Sequence, residues 1–159
     1  MRLIHKTLLA ALFVALATIS NSEFIARNNT VLDTDRNLIW YRCTIGMRFE
    51  PVKQICNGSP KALTQTQIPA VIEQANKQLG GSWRLPSKNE LRSLVCKKCD
   101  APKIDAELFP NFLSDRYWSG QKNWMSRKNY WSMNFYTGWL HGMAFPDQEL
   151  YVVLVRDIR

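Results

Sequence analysis

An α+β fold, two helices with small antiparallel sheets, is predicted from three observations. Ile68, Val71, Ile72, Ala75 and Leu79 recur at spacings of three and four, the pattern of one apolar helical face. Ser87 stands three residues before Glu90 at the head of a second apolar stripe, which is a capping box. From Tyr117 onward the chain turns to aromatic and β-branched runs separated by turn residues, the composition of short strands.

The chain has 159 residues, 21 Lys and Arg against 13 Asp and Glu, and 46% hydrophobic residues. That is enough apolar material for one packed domain, and it excludes a disordered, collagenous or coiled-coil chain. Arg2, His5 and Lys6 precede an apolar run over residues 8–19, followed by Ser20, Asn21 and Ser22. This reads as a secretory signal peptide cleaved after Ser22, leaving a mature domain of residues 23–159 that is periplasmic or secreted. The alternative, an N-terminal anchor, is opposed by length, because a spanning helix needs about 20 apolar residues. No transmembrane segment is expected in the mature chain. Cleavage removes Arg2, Lys6 and His5, leaving 19 bases against 13 acids, a formal net charge of +6, and one histidine, His141. The excess of base favours sulfated or carboxylated glycans, anionic envelope or acidic protein surfaces over nucleic acid in an exported protein. A merely solubilising basic surface is the plain alternative.

In chain order, residues 31–35 and 38–43 suit two short extended runs about Asp33, Thr34, Asp35, Arg36 and Asn37, predicting an edge hairpin. Residues 43–56 show little periodicity. A disulfide between Cys43 and Cys56 would staple them, contributing on the order of 3 kcal/mol by chain entropy. The first helix is expected over residues 64–79, ended by Gly80 and Gly81. Trp83, Arg84 and Leu85 form a short extended segment, and the second helix runs from about Lys88 to Lys97 with Leu91, Leu94 and Val95 inward. Pro102 and Pro110 mark an irregular connection in which Ile104 and Phe109 serve as hydrophobic plugs. Strands follow at 117–119, 130–135, 139–145 and 150–156, with Tyr136, Thr137 and Gly138 turning the middle pair.

Cys96 and Cys99 form a C-x-x-C pair. Redox chemistry would need the first thiolate at a helix N-terminus, where the dipole lowers its pKa, whereas this pair follows a predicted helix C-terminus. A zinc site lacks a closely spaced second ligand pair. A structural disulfide is therefore expected. Four cysteines permit three pairings, and 43 with 56 and 96 with 99 is preferred by locality.

Residues 117–145 hold nine aromatic side chains interleaved with Arg116, Lys122, Arg127 and Lys128. Aromatic faces stack on sugar rings while cations pair with sulfate or carboxylate, so the combination suits an acidic glycan. Strand alternation would bury about half of these rings; Trp118, Trp131 and Phe135 are expected to be structural, and Trp124 and Trp139 exposed. Asp33 with Asp35, and Asp147 with Glu149, could serve acid–base chemistry or calcium, but solvated turns account for them more simply. Neither pair has a nucleophile or an orienting base beside it, so no enzyme is expected.

Several stretches carry a recognisable order: D-T-D-R-N-L-I-W-Y-R-C over 33–43, G-S-W-R-L-P-S-K-N-E-L-R-S-L-V over 81–95, I-D-A-E-L-F-P-N over 104–111, Y-W-S over 117–119 and Y-V-V-L-V-R over 151–156. Together they resemble the Lcl C-terminal domain family, named for a bacterial collagen-like adhesin and long treated as a domain of unknown function. The resemblance implies a bacterial, exported, C-type-lectin-like domain with N- and C-terminal strands paired. It also implies, by analogy with the adhesin, binding of sulfated polysaccharide. Arg36-Asn37 replaces the usual Thr-Gly of the first turn, a place where Asn can adopt the left-handed conformation. There is no collagen-like stalk, no evident lectin calcium motif, and no counterpart of the paired catalytic cysteines of the related formylglycine-generating enzymes.

The expectation is an exported, adhesin-like binding module without cofactor or metal, engaging an anionic glycan or envelope component through Lys122, Trp124, Arg127, Lys128, Trp139 and His141. The rival is a structural or protein-interaction subunit of a surface assembly.

Overall fold

A computed structural model describes residues 24–158. The expected signal peptide and its cleavage after Ser22 lie outside the described residues. The elements run β1 (Phe24–Arg27), β2 (Thr30–Asp33), β3 (Leu38–Tyr41), β4 (Met47–Glu50), β5 (Ile55–Gly58), α1 (Ile68–Leu79), α2 (Lys88–Ser93), β6 (Arg116–Lys122), β7 (Tyr130–Asn134), β8 (Trp139–Ala144) and β9 (Val155–Asp157). They form three antiparallel sheets, ordered β1-β2-β3-β9, β4-β5 and β6-β7-β8.

The α+β, C-type-lectin-like expectation is overturned: the described residues are mostly β, with two short helices of 12 and 6 residues. The helices shrink for local reasons. The Gln67 side chain accepts hydrogen bonds from the amide and hydroxyl of Thr64, closing a turn of its own, and α1 starts only at Ile68 with Pro69 in its first turn. At α2 the capping box forms as the sequence predicts, with the Glu90 amide donating to Ser87 Oγ and the Ser87 amide to Glu90 Oε2. The helix then stops at Ser93, where the amide of Leu94 bonds the carbonyl of Leu91 and the amide of Cys96 turns to Lys103. The residues lost from the helices become turns and irregular chain, and the added strands lie elsewhere. β1, β4 and β5 fall where the sequence shows no alternation, since four-residue strands offer only two inward positions each.

The first hairpin forms with Asp33 paired to Leu38, and Asn37 takes the left-handed φ of 54°. Asp33 is fully buried, and its carboxylate accepts the Arg36 amide at 3.0 Å. The hairpin is central rather than at an edge, because β1 covers β2 and the C-terminal β9 covers β3. The pairing of chain ends is thus between β3 and β9, not between the first strand and the last. The supposed loop after Cys43 holds the β4–β5 hairpin, whose inward pair, Phe49 opposite Cys56, is buried. Both disulfides form, Cys43 to Cys56 and Cys96 to Cys99.

Two hydrophobic cores share one segment. Leu150, Val152 and Leu154 enter the core built on Tyr41, Phe49, Ile68, Trp83 and Trp118. Tyr151, Val153 and Val155 enter the other, with Trp40, Leu91, Phe109, Phe112, Tyr117 and Phe135. Residues 150–155 therefore run extended between the cores and alternate between them, as successive side chains on an extended chain must. Their backbone partners change along the way: Leu63, Arg116 and Trp118, Ile45, Tyr41, then Arg84. No single strand partner persists, so only the last two residues of the predicted 150–156 strand, continued to Asp157, pair as a ladder. Ile104 and Phe109 plug the first core from an irregular connection, as expected from the sequence.

Candidate ligand-binding face

The β6–β7–β8 sheet has one face in the core and one partly open. Arg116 pairs with Asn134 and Asn134 with Trp139; Trp118 pairs with Ser132 and Ser132 with His141. Directly paired residues share a face, so Arg116, Trp139 and His141 stand on one side while Tyr117, Met133 and Leu140 point to the first core. Arg116 Nη2 donates to the Ser132 hydroxyl at 3.0 Å, and that hydroxyl donates to the His141 carbonyl at 3.4 Å. Buried Ser132 thus fixes the guanidinium across the middle strand toward β8.

The turn joining β7 to β8 is the predicted one, with Gly138 at φ 77°. That φ favours glycine, and an added Cβ would lie 3.1 Å from Val95 Cγ1, close enough that the valine would have to give way. Trp139 follows at 71% exposure.

Two buried asparagines build the loop between β6 and β7. The backbone amide of Asn123 donates to the Asn129 carbonyl at 2.8 Å, and its side-chain amide donates to the Gly142 carbonyl at 2.8 Å. Asn129 Nδ2 donates to Ser126 Oγ at 3.1 Å and contacts Met143 Sδ at 3.4 Å. These bonds moor the loop to β8, while Asn129 Oδ1 stays buried without a partner. The tip is left to solvent, with Trp124 at 76% exposure and Met125, Arg127 and Lys128 also exposed.

All six sequence-predicted residues are exposed. Lys122 lies over the Tyr130 ring, 5.6 Å from its centroid. Trp139 and His141 share a strand face, whereas Trp124, Arg127 and Lys128 belong to the loop held at the other end of β8. Trp139 and Met143 are four positions apart on β8, about 13 Å along the chain. Register places Arg116, one of the interleaved cations though not one of the six, on the face beside Trp139, and the structure adds Met125, Met143 and Phe145, exposed apolar neighbours in sequence or on the strand. Alternation along 139–145 could have flagged Met143 and Phe145; the interleaving of cations with aromatic residues marks Arg116, but its place beside Trp139 follows only from register. Trp118 and Phe135 are fully buried as predicted, and Trp131 is half-buried beneath Lys88, whose Nζ sits 4.2 Å from its ring centroid.

None of the six lines the cleft beside α1 or the smaller one at Ile39 and Arg156, and all six lie on exposed surface, an open face suited to an extended ligand. Of the paired carboxylates, Asp33 is buried against Arg36 while Asp35, Asp147 and Glu149 are exposed. Among the described residues no group of three or more His, Cys, Asp or Glu converges as a metal site, and no helix is long and apolar enough to cross a membrane.

Comparison with curated proteins and with solved structures returns no match. The family comparison does: the Lcl C-terminal domain model matches residues 29–156, from the start of the first hairpin to the paired C-terminal strand. The chain belongs to the Lcl C-terminal domain family.

Proposed function

We propose that this is an exported, non-enzymatic binding module that recognises an anionic or sulfated glycan, or a similarly acidic envelope component, through the β8 face and the loop over residues 123–129. The observation that carries the reading is the pair of tryptophans, Trp124 and Trp139, each more than two-thirds exposed and accompanied by Arg127, Lys128 and Arg116. A large exposed ring forgoes burial that would stabilise the fold, and a stacking surface for sugar is a use for it. The cations supply the partner for sulfate or carboxylate. Location in the periplasm or outside the cell belongs to the same proposal and rests on the apolar N-terminal run.

A second reading, a protein-interaction subunit of a surface assembly, draws support from Met125, Met143 and Phe145, which make part of the surface apolar without charge. Salt separates the two, because ionic glycan contacts are screened and a hydrophobic interface persists.

The test is a glycan array with residues 23–159 at low and physiological salt, repeated with K122E/R127E/K128E. Selective, salt-sensitive binding to sulfated or uronic-acid glycans that the charge reversal weakens is the expected result. A folded protein that binds none of them, or binds equally after reversal, sinks the proposal.

A further inference from the structure

A cleft of about 710 Å³ lies between α1 and the β4 side of the small hairpin, away from the β8 face. Its volume falls within the range of small-molecule sites. The apolar stripe of α1 packs onto the core that holds Tyr41, Phe49 and Trp118 but is only partly covered: Ile68 and Ala75 are buried, while Val71 and Leu79 are half-buried and line the cleft. Tyr41 and Met47 complete an apolar floor. Gln74 and Gln78, one turn apart on α1, rim one wall, and Arg48 and Lys61 stand on the other side. Arg48 is near enough for its charge to act on the Tyr41 hydroxyl, which donates to the Met47 carbonyl at 3.4 Å. No Asp or Glu lines the cleft, and neither Arg48 nor Lys61 forms an ion pair among the described residues.

We infer that this cleft binds a small amphiphilic carboxylate, its tail along Met47, Val71 and Leu79 and its head between Arg48 and Lys61. Charge decides the sign of the head group, since two cations without a counter-ion favour an anion. The floor decides the tail. Tyr41 and Phe49 both line the cleft but are only 5% and 6% exposed, so a sugar would find little aromatic surface to stack on, whereas Met47, Val71 and Leu79 offer aliphatic surface. The glutamine amides remain free to bond the carboxylate oxygens or ordered water.

The test titrates decanoate into residues 23–159 and follows backbone amide shifts, with decanol and glucuronate as comparison probes. Saturable shifts at residues 47–49, 61 and 71–79 are expected, with decanoate binding about tenfold more tightly than decanol. R48E/K61E should erase that preference. Q74W, a change at an exposed rim position, should block the cleft and abolish the shifts while leaving those of Trp124 and Trp139 unmoved. The inference is overturned if decanoate gives no saturable shifts, if the shifts map to residues 124–143, if decanol binds equally well, or if glucuronate binds in the cleft more tightly than decanoate.

Discussion

Arg42 Nε donates to the carbonyl of Leu108 at 2.7 Å, joining residues 66 positions apart. The rest of the same buried guanidinium reaches the Glu107 carbonyl at 2.6 Å, the Asn28 carbonyl at 2.9 Å and Gln54 Oε1 at 3.1 Å, and it lies over the Phe49 ring. Its partners are neutral oxygens, and burial pulls its pKa below the ordinary value. One side chain thereby ties the β1–β2 turn, the β4–β5 hairpin and the irregular connection together. Arg42→Met should destabilise by about 2 kcal/mol, because four hydrogen bonds from a charged donor are lost and the Leu108 carbonyl is left half-buried, while Asn28, Gln54 and Glu107 are exposed residues whose oxygens water can reach. Arg42→Lys should recover only part of the loss, since an ammonium cannot reproduce the planar fork. Urea unfolding of both variants checks this; equal stability of wild type and Arg42→Met would show the clamp to be dispensable.

The two disulfides should differ in weight. Cys43 and Cys56 are 13 residues apart and Cys96 and Cys99 three. Chain entropy then assigns about 3 kcal/mol to the first and about 2 kcal/mol to the second. Denaturation midpoints of C43S/C56S and C96S/C99S give the order directly, and a larger loss in C96S/C99S would contradict it.

Val152 is fully buried where the terminal segment passes between the cores, while Val52 in the β4–β5 turn is 93% exposed. Val152→Ala should cost about 2 kcal/mol through lost burial and the cavity left behind. Val52→Ala should stay within about 0.5 kcal/mol of wild type. Thermal unfolding of the pair tests the threading of residues 150–155.

Arg84 bonds both oxygens of Glu90 at 2.9 Å and reaches Asp157 at 2.9 Å, linking the head of α2 to the end of β9. Burial raises the pKa of Glu90, but bonds from Arg84 and the Ser87 amide outweigh it and hold the carboxyl below its usual value. Bonds from Arg84 likewise depress Asp157. A depressed carboxylate stabilises the fold above its unfolded pKa, about 4.3 for Glu, and that contribution disappears as pH falls through the folded value. Stability should therefore be flat near neutrality and decline in acid below that point. Glu90→Gln should lower the plateau and shallow the acid limb; an unchanged limb would mean that other carboxylates govern acid unfolding.

Trp124→Ala and Trp139→Ala should leave stability within about 0.5 kcal/mol of wild type, since both rings are mostly in solvent. Affinity for a bound acidic glycan should fall about tenfold for each. Paired unfolding and binding curves separate the two effects, and a large stability loss would recast these rings as structural.

Features set within a few residues were legible without the fold. The capping box at Ser87 and Glu90, the turn at Gly138, the left-handed Asn37, the local cysteine pairs and the exposure of Trp124 and Trp139 follow from chemistry acting over one turn of chain. The β-rich balance was not legible. β4 and β5 are each four residues long, and only the partner strand and the Cys43–Cys56 link define them. The helix lengths failed where a side chain, Gln67, or a backbone turn toward Lys103 competed with helical hydrogen bonds.

By itself the sequence determined one basic, disulfide-linked domain, the family order of its motifs, and which rings must find a core. Tertiary structure alone decided that Arg42 is buried as a clamp, that residues 150–155 feed two cores in alternation, that Arg116 shares a face with Trp139 and His141, and that a cleft opens beside α1. The division has a physical reason. Caps, turns and close cysteines depend on contacts a few residues apart, whereas register, burial of a charge and the gap between elements depend on partners brought from dozens of residues away.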